Sequence, residues 1–159
     1  MKKHKIEITK DLNYQGDYDS VPTEQGIYFI IECIPCPPRG SNEYDAHLRY
    51  IGWSDDMQNN IIEQRRVNPD FTDYKTPRHI VCYAQLPDMS REELEQCAYA
   101  LIYHFKPRDN HEGKQAYTHP PVHIQYECRE GAIGAPFMRR VNCDSADICL
   151  PESASTELA

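Results

Sequence analysis

The stretch that decides the fold is Gly26-Ile-Tyr-Phe-Ile-Ile-Glu-Cys33, followed further on by His47-Leu-Arg-Tyr-Ile-Gly52. The first run is mainly apolar, has the length of a strand and is rich in Ile and aromatic residues. It therefore predicts a central strand covered on both faces. Proline and glycine residues between the runs predict a surface loop over residues 34–46. The second run predicts a strand that ends at Gly52 and pairs with the first as a hairpin.

The residues after this hairpin predict a helix, a strand and a second helix. Ser54-Asp55-Asp56 has the short acceptor side chains of a helix start, and residues 78–86 return to a strand pattern. Ser90-Arg-Glu-Glu93 is a capping box, and the apolar stripe that follows has helical spacing up to Pro107. The order β-β-α-β-α predicts an α+β fold with a small mixed or antiparallel three-stranded sheet flanked by helices.

The two ends of the chain are assigned separately from this unit. Residues 1–20 form an N-terminal extension with one short alternating strand candidate at Lys5 to Thr9. The domain itself is placed at residues 21–143, with a C-terminal extension from about residue 111. Residues 144–159 are acidic and have too little apolar content to offset the entropy of ordering them, so we predict a disordered tail.

Composition limits the classes of partner. The chain has 159 residues, 40% hydrophobic and 26% charged, and no apolar run near the ~18 residues of a membrane helix, so one soluble domain is expected. Its formal charge of −8, half of which the tail carries, opposes general attraction to nucleic acid or anionic membranes. The odd number of cysteines, seven, and the absence of an apolar segment after the basic first residues predict free thiols and a cytoplasmic protein.

Two triplets on the predicted hairpin carry a resemblance. Gly26-Ile27-Tyr28 and Tyr50-Ile51-Gly52 resemble the paired motifs of the GIY-YIG nuclease superfamily, and Leu101-Ile102 followed by Pro107-Arg-Asp-Asn110 adds to the match. The resemblance spans residues 21–110. It implies hydrolysis of DNA or RNA phosphodiesters with one divalent cation, Mg²⁺ or Mn²⁺. By the same resemblance, Tyr28 and Tyr50 would orient or deprotonate the attacking water.

Further site residues follow from the same match. Gly52 would permit close approach of the backbone to a phosphate, and Asn60, Arg66 and Asn110 would join it in contacting nucleic acid. The family usually carries an arginine on the first helix and a glutamate on the second. Counting along this chain places Asn60 and Ala98 at those two positions, and Trp53 stands where a small or basic residue is common.

These departures predict weakened or lost cleavage, because asparagine supplies no positive charge and alanine binds no metal. Glu95, one helical turn before Ala98, is the candidate replacement metal ligand. Arg65 is the candidate catalytic cation, although both Arg65 and Arg66 fall off the helical face of Asn60.

Alternatives stay open at this point. The two tyrosines are also explained as buried strand aromatics, the charged candidates as solvated helix residues, and Asn110 as a turn residue. The second function class is a non-catalytic binding or regulatory module with a nucleic-acid or protein partner. A third is a zinc module built from Cys33, Cys36, His119 and His123, although the gap between the two pairs exceeds that of a zinc finger.

Overall fold

The structure is a computed structural model that describes residues 3–10, 21–35, 44–67, 79–128, 145–150 and 154–155. The described residues form eight strands and two helices. In chain order these are β1 (Lys3–Lys10), β2 (Gly26–Pro35), β3 (Tyr44–Ser54), α1 (Met57–Val67), β4 (His79–Gln85), α2 (Arg91–Phe105), β5 (Ala116–Tyr117), β6 (Val122–Cys128), β7 (Ser145–Leu150) and β8 (Ala154–Ser155).

The prediction of a three-stranded sheet is wrong. The main sheet has six strands in the order β3-β2-β4-β1-β6-β7, and β5 pairs with β8 in a separate two-stranded sheet. Strands β1 and β6 run parallel, whereas the other neighbours run antiparallel. The three strands expected from the sequence form one half of this sheet, with β2 between β3 and β4.

Strand β1 is the reason for the larger sheet. Its side chains alternate, with His4, Ile6 and Ile8 buried and the intervening residues exposed, so one face belongs to the core. The strand joins β4 on one side and β6 on the other. These partners lie far away in the chain, and a local pattern does not encode which strand pairs with which.

The two faces of the sheet carry separate cores. Along β2, Ile27, Phe29 and Ile31 pack into a core with α2, whereas Tyr28 and Ile30 pack into a second core with α1. Successive side chains of a strand point to opposite faces, so a strand covered by a helix on each side must be apolar throughout. This explains the consecutive apolar residues 27–31 of β2, and the strand order confirms that β2 is a central strand.

The predicted capping box at the start of α2 is confirmed. The backbone N–H of Glu93 donates to Ser90 Oγ at 3.1 Å, and the backbone N–H of Ser90 donates to Glu93 Oε1 at 3.3 Å. At the other end, Lys106 takes a left-handed conformation with φ of 51°, and Pro107 follows. Both ends of α2 therefore satisfy backbone groups that a helix leaves without partners.

Both terminal segments contribute strands. The strand candidate at Lys5 to Thr9 lies within β1, and residues 145–150 and 154–155, which were expected to be disordered, form β7 and β8. Ile148 of β7 is buried in the main core, which gives that strand an apolar contact. Residues 11–20 and 129–144 lie outside the described ranges. Neither of the two described helices is long and apolar enough to span a membrane.

Candidate functional site

The two motif tyrosines lie side by side on the face of the sheet that α1 covers. Their ring centroids are 6.1 Å apart with an angle of 33° between the planes. Tyr28 is fully buried, and its hydroxyl donates a hydrogen bond of 2.7 Å to Asn60 Oδ1. Tyr50 is half-buried, and burial is the larger cause of the raised pKa of its hydroxyl. The structure thus brings Tyr28, Tyr50 and Asn60 together.

Gly52 faces the ring of Tyr28 across the strand pair. The two residues are register partners on β3 and β2. A Cβ added to Gly52 would lie 2.1 Å from Tyr28 Cζ and 2.3 Å from its hydroxyl oxygen. The open side of this glycine, which was expected to admit a phosphate, is therefore occupied by the Tyr28 ring.

Helix α1 is fixed at its start, and this places Asn60 over Tyr28. Asp56 Oδ1 accepts from the backbone N–H of Asn59 at 3.0 Å, as an N-cap residue does. The N–H groups of Met57 and Gln58 donate to backbone carbonyls of residues 24 and 22, each at 3.1 Å. Because these bonds tie the first turn of α1 to the segment before β2, Asn60 has little freedom to leave the Tyr28 hydroxyl.

The two candidate arginines lie on the solvent side of α1. Arg65 and Arg66 are both exposed, in contrast to the fully buried Tyr28. Arg66 forms an ion pair with Glu63 one turn earlier, and its Nε donates to Glu63 Oε2 at 3.3 Å. The pair lowers the pKa of the Glu63 carboxyl, chiefly through the hydrogen bond from Arg66. The structure does not bring either guanidinium to the motif tyrosines.

Glu95 lies on α2 and therefore on the other face of the sheet from Tyr28. It neighbours Tyr99 along the helix, and its charge is one of the causes that raise the pKa of the Tyr99 hydroxyl, after burial and Glu112. Ala98, at the position where the family usually has glutamate, is fully buried in the core beneath α2.

A metal site is not evident among the residues that the structure describes. Across those ranges, no three or more His, Cys, Asp or Glu side chains are grouped to hold an ion, whereas Mg²⁺ and Mn²⁺ are held by several oxygen ligands. Glu95 is thus not part of such a group. Of the proposed zinc ligands, Cys36 and the side chain of Cys33 lie outside the described residues.

Asn110 binds the backbone of the second motif. Its Nδ2 donates to the carbonyl of Ile51, and its Oδ1 accepts from the N–H of Ile51, both at 2.9 Å. Asn110 is buried, and this paired contact uses both ends of its amide. Its place is at the open edge of β3, where it holds the loop after α2 against the strand.

Arg49 is a site residue that the sequence reasoning missed. The register of β3 against β2 shifts here, so that Tyr50 and Leu48 oppose Ile30 and Ile31 and Arg49 is the extra residue of a β-bulge. Such bulges redirect a side chain. The signal in the sequence was a charged residue directly before the second motif.

The redirected Arg49 side chain joins a buried ionic network. Its Nε lies 2.9 Å from Asp109 Oδ2, and its Nη1 lies 3.2 Å from Glu32 Oε1. Glu32 Oε2 is in turn 3.4 Å from Nε2 of the buried His79. One guanidinium thus faces two carboxylates, which links β2, β3, β4 and the loop after α2.

Two clefts adjoin the indole of Trp53, beside the motif tyrosines. We call the first the polar cleft; it has a volume of about 280 Å³ and is lined by Gln25, Trp53, Ser54, Asp55, Asn60, Arg91 and Leu94. We call the second the aromatic cleft; it has a volume of about 230 Å³ and is lined by Tyr50, Trp53, Tyr99, Ile102, Asp109, Asn110, His111 and Glu112. Trp53 therefore lies between these two clefts, and Tyr28 lines neither of them.

Comparison of the chain with protein-family models, with curated proteins and with solved structures gives no match in any of the three.

Proposed function

We propose that this protein is a non-catalytic binding module related to the GIY-YIG nucleases, in which the two motif triplets serve packing and a protein partner is bound at the clefts beside Trp53. The observation that carries the proposal is the environment of Tyr28. Its ring fills the open side of Gly52, and its buried hydroxyl is bonded to Asn60. A fully buried tyrosine whose hydroxyl is already hydrogen-bonded supports a packing role for this motif.

The charges around the tyrosines also support a binding role. Phosphodiester cleavage needs positive charge where negative charge develops on the phosphate oxygens. Asn60 supplies none, the two candidate arginines lie on the solvent side of α1, and Glu95 is on α2 across the sheet. Arg49 is near Tyr50 in the chain, but its charge is opposed by two carboxylates within about one hydrogen-bond length.

The choice of a protein over a nucleic acid rests on the lining of the clefts. Affinity for nucleic acid comes largely from lysine and arginine contacts to phosphates. The polar cleft has one such residue, Arg91, together with the carboxylate of Asp55. Among the residues that the structure describes, the aromatic cleft is lined by two acids and by no lysine or arginine. The formal charge of −8 on the whole chain also opposes the binding of nucleic acid.

A cleavage assay tests the proposal. Purified full-length chain is incubated with plasmid DNA, single-stranded DNA and RNA in Mg²⁺ and in Mn²⁺. We expect no cleavage above a blank prepared in the same way. Tyr28→Phe and Tyr83→Phe are assayed in parallel, because Tyr83 is the register partner of Tyr28 on β4 and packs against the same core. Metal-dependent cleavage that Tyr28→Phe abolishes and Tyr83→Phe preserves would overturn the proposal and establish a nuclease.

A further inference from the structure

The aromatic cleft has walls that neighbouring residues hold in place. The rings of Trp53 and Tyr99 meet edge to face, with centroids 5.0 Å apart and an angle of 60°. Tyr99 also stacks on His119 at 4.7 Å, with 19° between the planes. Gly113, at φ of 84°, lies so near that an added Cβ would be 2.8 Å from Tyr99 Cδ1. These contacts fix the Tyr99 ring, so a ligand loses little affinity in ordering it.

Negative charge surrounds these walls. Glu112 is exposed at the rim of the cleft and lies 3.4 Å from the Tyr99 hydroxyl. Asp109, also in the lining, and Glu32 both pair with the guanidinium of Arg49, so that among the described groups two carboxylates face one guanidinium. None of the described residues that line the cleft is a lysine or an arginine.

Aromatic faces combined with carboxylates match one ligand chemistry. The negative face of an aromatic ring attracts a cation, and the attraction strengthens when the cation leaves water. A planar guanidinium can stack on a ring and pair with a carboxylate through its edge at the same time. A nucleobase could also stack here, but its phosphates would meet Glu112 and Asp109, with no lysine or arginine among the described lining residues to compensate.

We propose that the aromatic cleft binds an arginine side chain of a partner protein, an inference that rests on the binding function proposed above. The guanidinium lies against Trp53 and Tyr99, and Glu112 pairs with it at the rim. The buried network around Arg49 holds Asp109 at the inner wall. Because the cleft is open at the surface, an arginine projecting from a loop or an extended segment of the partner can enter it.

Intrinsic fluorescence tests the site directly, because Trp53 is the single tryptophan of the chain. The full chain is titrated with a blocked tripeptide that has arginine at its centre and with the same tripeptide carrying citrulline, which keeps the shape and lacks the charge. We expect a saturable change of the Trp53 signal with the arginine peptide, and binding of the citrulline peptide weaker by about tenfold, the factor that ~1.4 kcal/mol of cation-dependent contacts gives.

A pair of charge variants locates the effect. Glu112→Gln is expected to weaken arginine binding about fivefold, as loss of one partly exposed ion pair does. Glu92→Gln is the matched control, because Glu92 is an exposed acid on α2 that does not line the cleft. No saturable response to the arginine peptide, an equal response to citrulline, or equal effects of the two variants would overturn the proposal.

Parallel measurements separate this inference from the proposed function. A Trp53 response to an oligothymidylate without a response to the arginine peptide overturns both the arginine site and the choice of a protein partner, and leaves only the non-catalytic part of the proposed function. Metal-dependent cleavage in the assay above overturns the binding module. Saturable, charge-dependent binding of the arginine peptide that Glu112→Gln weakens supports the site.

Discussion

The contact between Gly52 and Tyr28 makes a quantitative prediction for Gly52→Ala. The new methyl group would lie 2.1 Å from Tyr28 Cζ, whereas carbon atoms in contact are ~3.5–4.0 Å apart. The ring would therefore have to shift by well over an ångström, although it is fully buried. Overpacking of this kind costs about 1–3 kcal/mol, and a displaced Tyr28 hydroxyl would lose its bond to Asn60, which costs about 1 kcal/mol more.

Alanine is otherwise favoured over glycine within a strand by roughly 0.5–1 kcal/mol, which offsets part of this cost. We therefore expect Gly52→Ala to lower the free energy of unfolding by about 2–3 kcal/mol. Urea denaturation followed by Trp53 fluorescence measures it, with the slope against urea compared between variants so that a change in the denatured state is recognised.

A double-mutant cycle identifies the cause. Tyr28→Leu removes the ring atoms that the new methyl group would meet, so Gly52→Ala should cost little in that background. The expected coupling is about 2 kcal/mol. Gly26→Ala is the control, because its added Cβ would lie 2.1 Å from the backbone carbonyl oxygen of Ala84, and Tyr28→Leu does not relieve that contact. A cost of Gly52→Ala below about 0.5 kcal/mol, or one that Tyr28→Leu leaves unchanged, would refute this account of the glycine.

Two further predictions concern buried polar groups. Arg49→Met removes the guanidinium that pairs with the buried Glu32 and the partly buried Asp109, and it should lower the free energy of unfolding by about 3–5 kcal/mol. Arg66→Met, on the exposed surface, should change it little, and similar effects of the two variants in urea denaturation would contradict a stabilising role of the Arg49 network. Burial raises the pKa of Tyr117 to about 12, so the unfolded chain releases this proton first above pH ~10 and stability should fall by about 1.4 kcal/mol per pH unit up to pH ~12. Tyr117→Phe should lack this part of the decline. If the free energy of unfolding of the variant and of the unmodified chain fell in parallel between pH ~10 and ~12, ionisation of Tyr117 would be excluded as a cause.

The elements that the sequence predicted well are those with local causes. The start of α2 follows from the reciprocal bonds of Ser90 and Glu93, which involve residues three apart. The central position of β2 follows from its consecutive apolar residues 27–31. The six-stranded sheet could not be predicted in the same way, because it depends on β1 joining both β4 and β6 across long stretches of chain.

The part of the site that could be predicted from the sequence depends on the alternation of side chains between the two faces of a strand. Tyr28 and Tyr50 were expected on neighbouring strands, and they lie on one face of the sheet. The bulge at Arg49 was not predictable, because it is a property of the β2–β3 pairing and not of either strand. The separation of Glu95 from Tyr28 depends on which face α2 covers. Sequence reasoning noted Trp53 as a departure, and the structure places it between two clefts.

The amide of Asn110 has a consequence for association between molecules. Strand β3 is the last strand on its side of the sheet, and an outermost strand offers free backbone groups on which another chain can build. Here the Asn110 side chain forms hydrogen bonds with both the N–H and the carbonyl of Ile51. The N–H of Asp109 also donates to the carbonyl of Arg49 at 2.8 Å. A strand of another molecule would have to displace this loop before it could add to the sheet. The loop that borders the aromatic cleft therefore also reduces edge-to-edge aggregation.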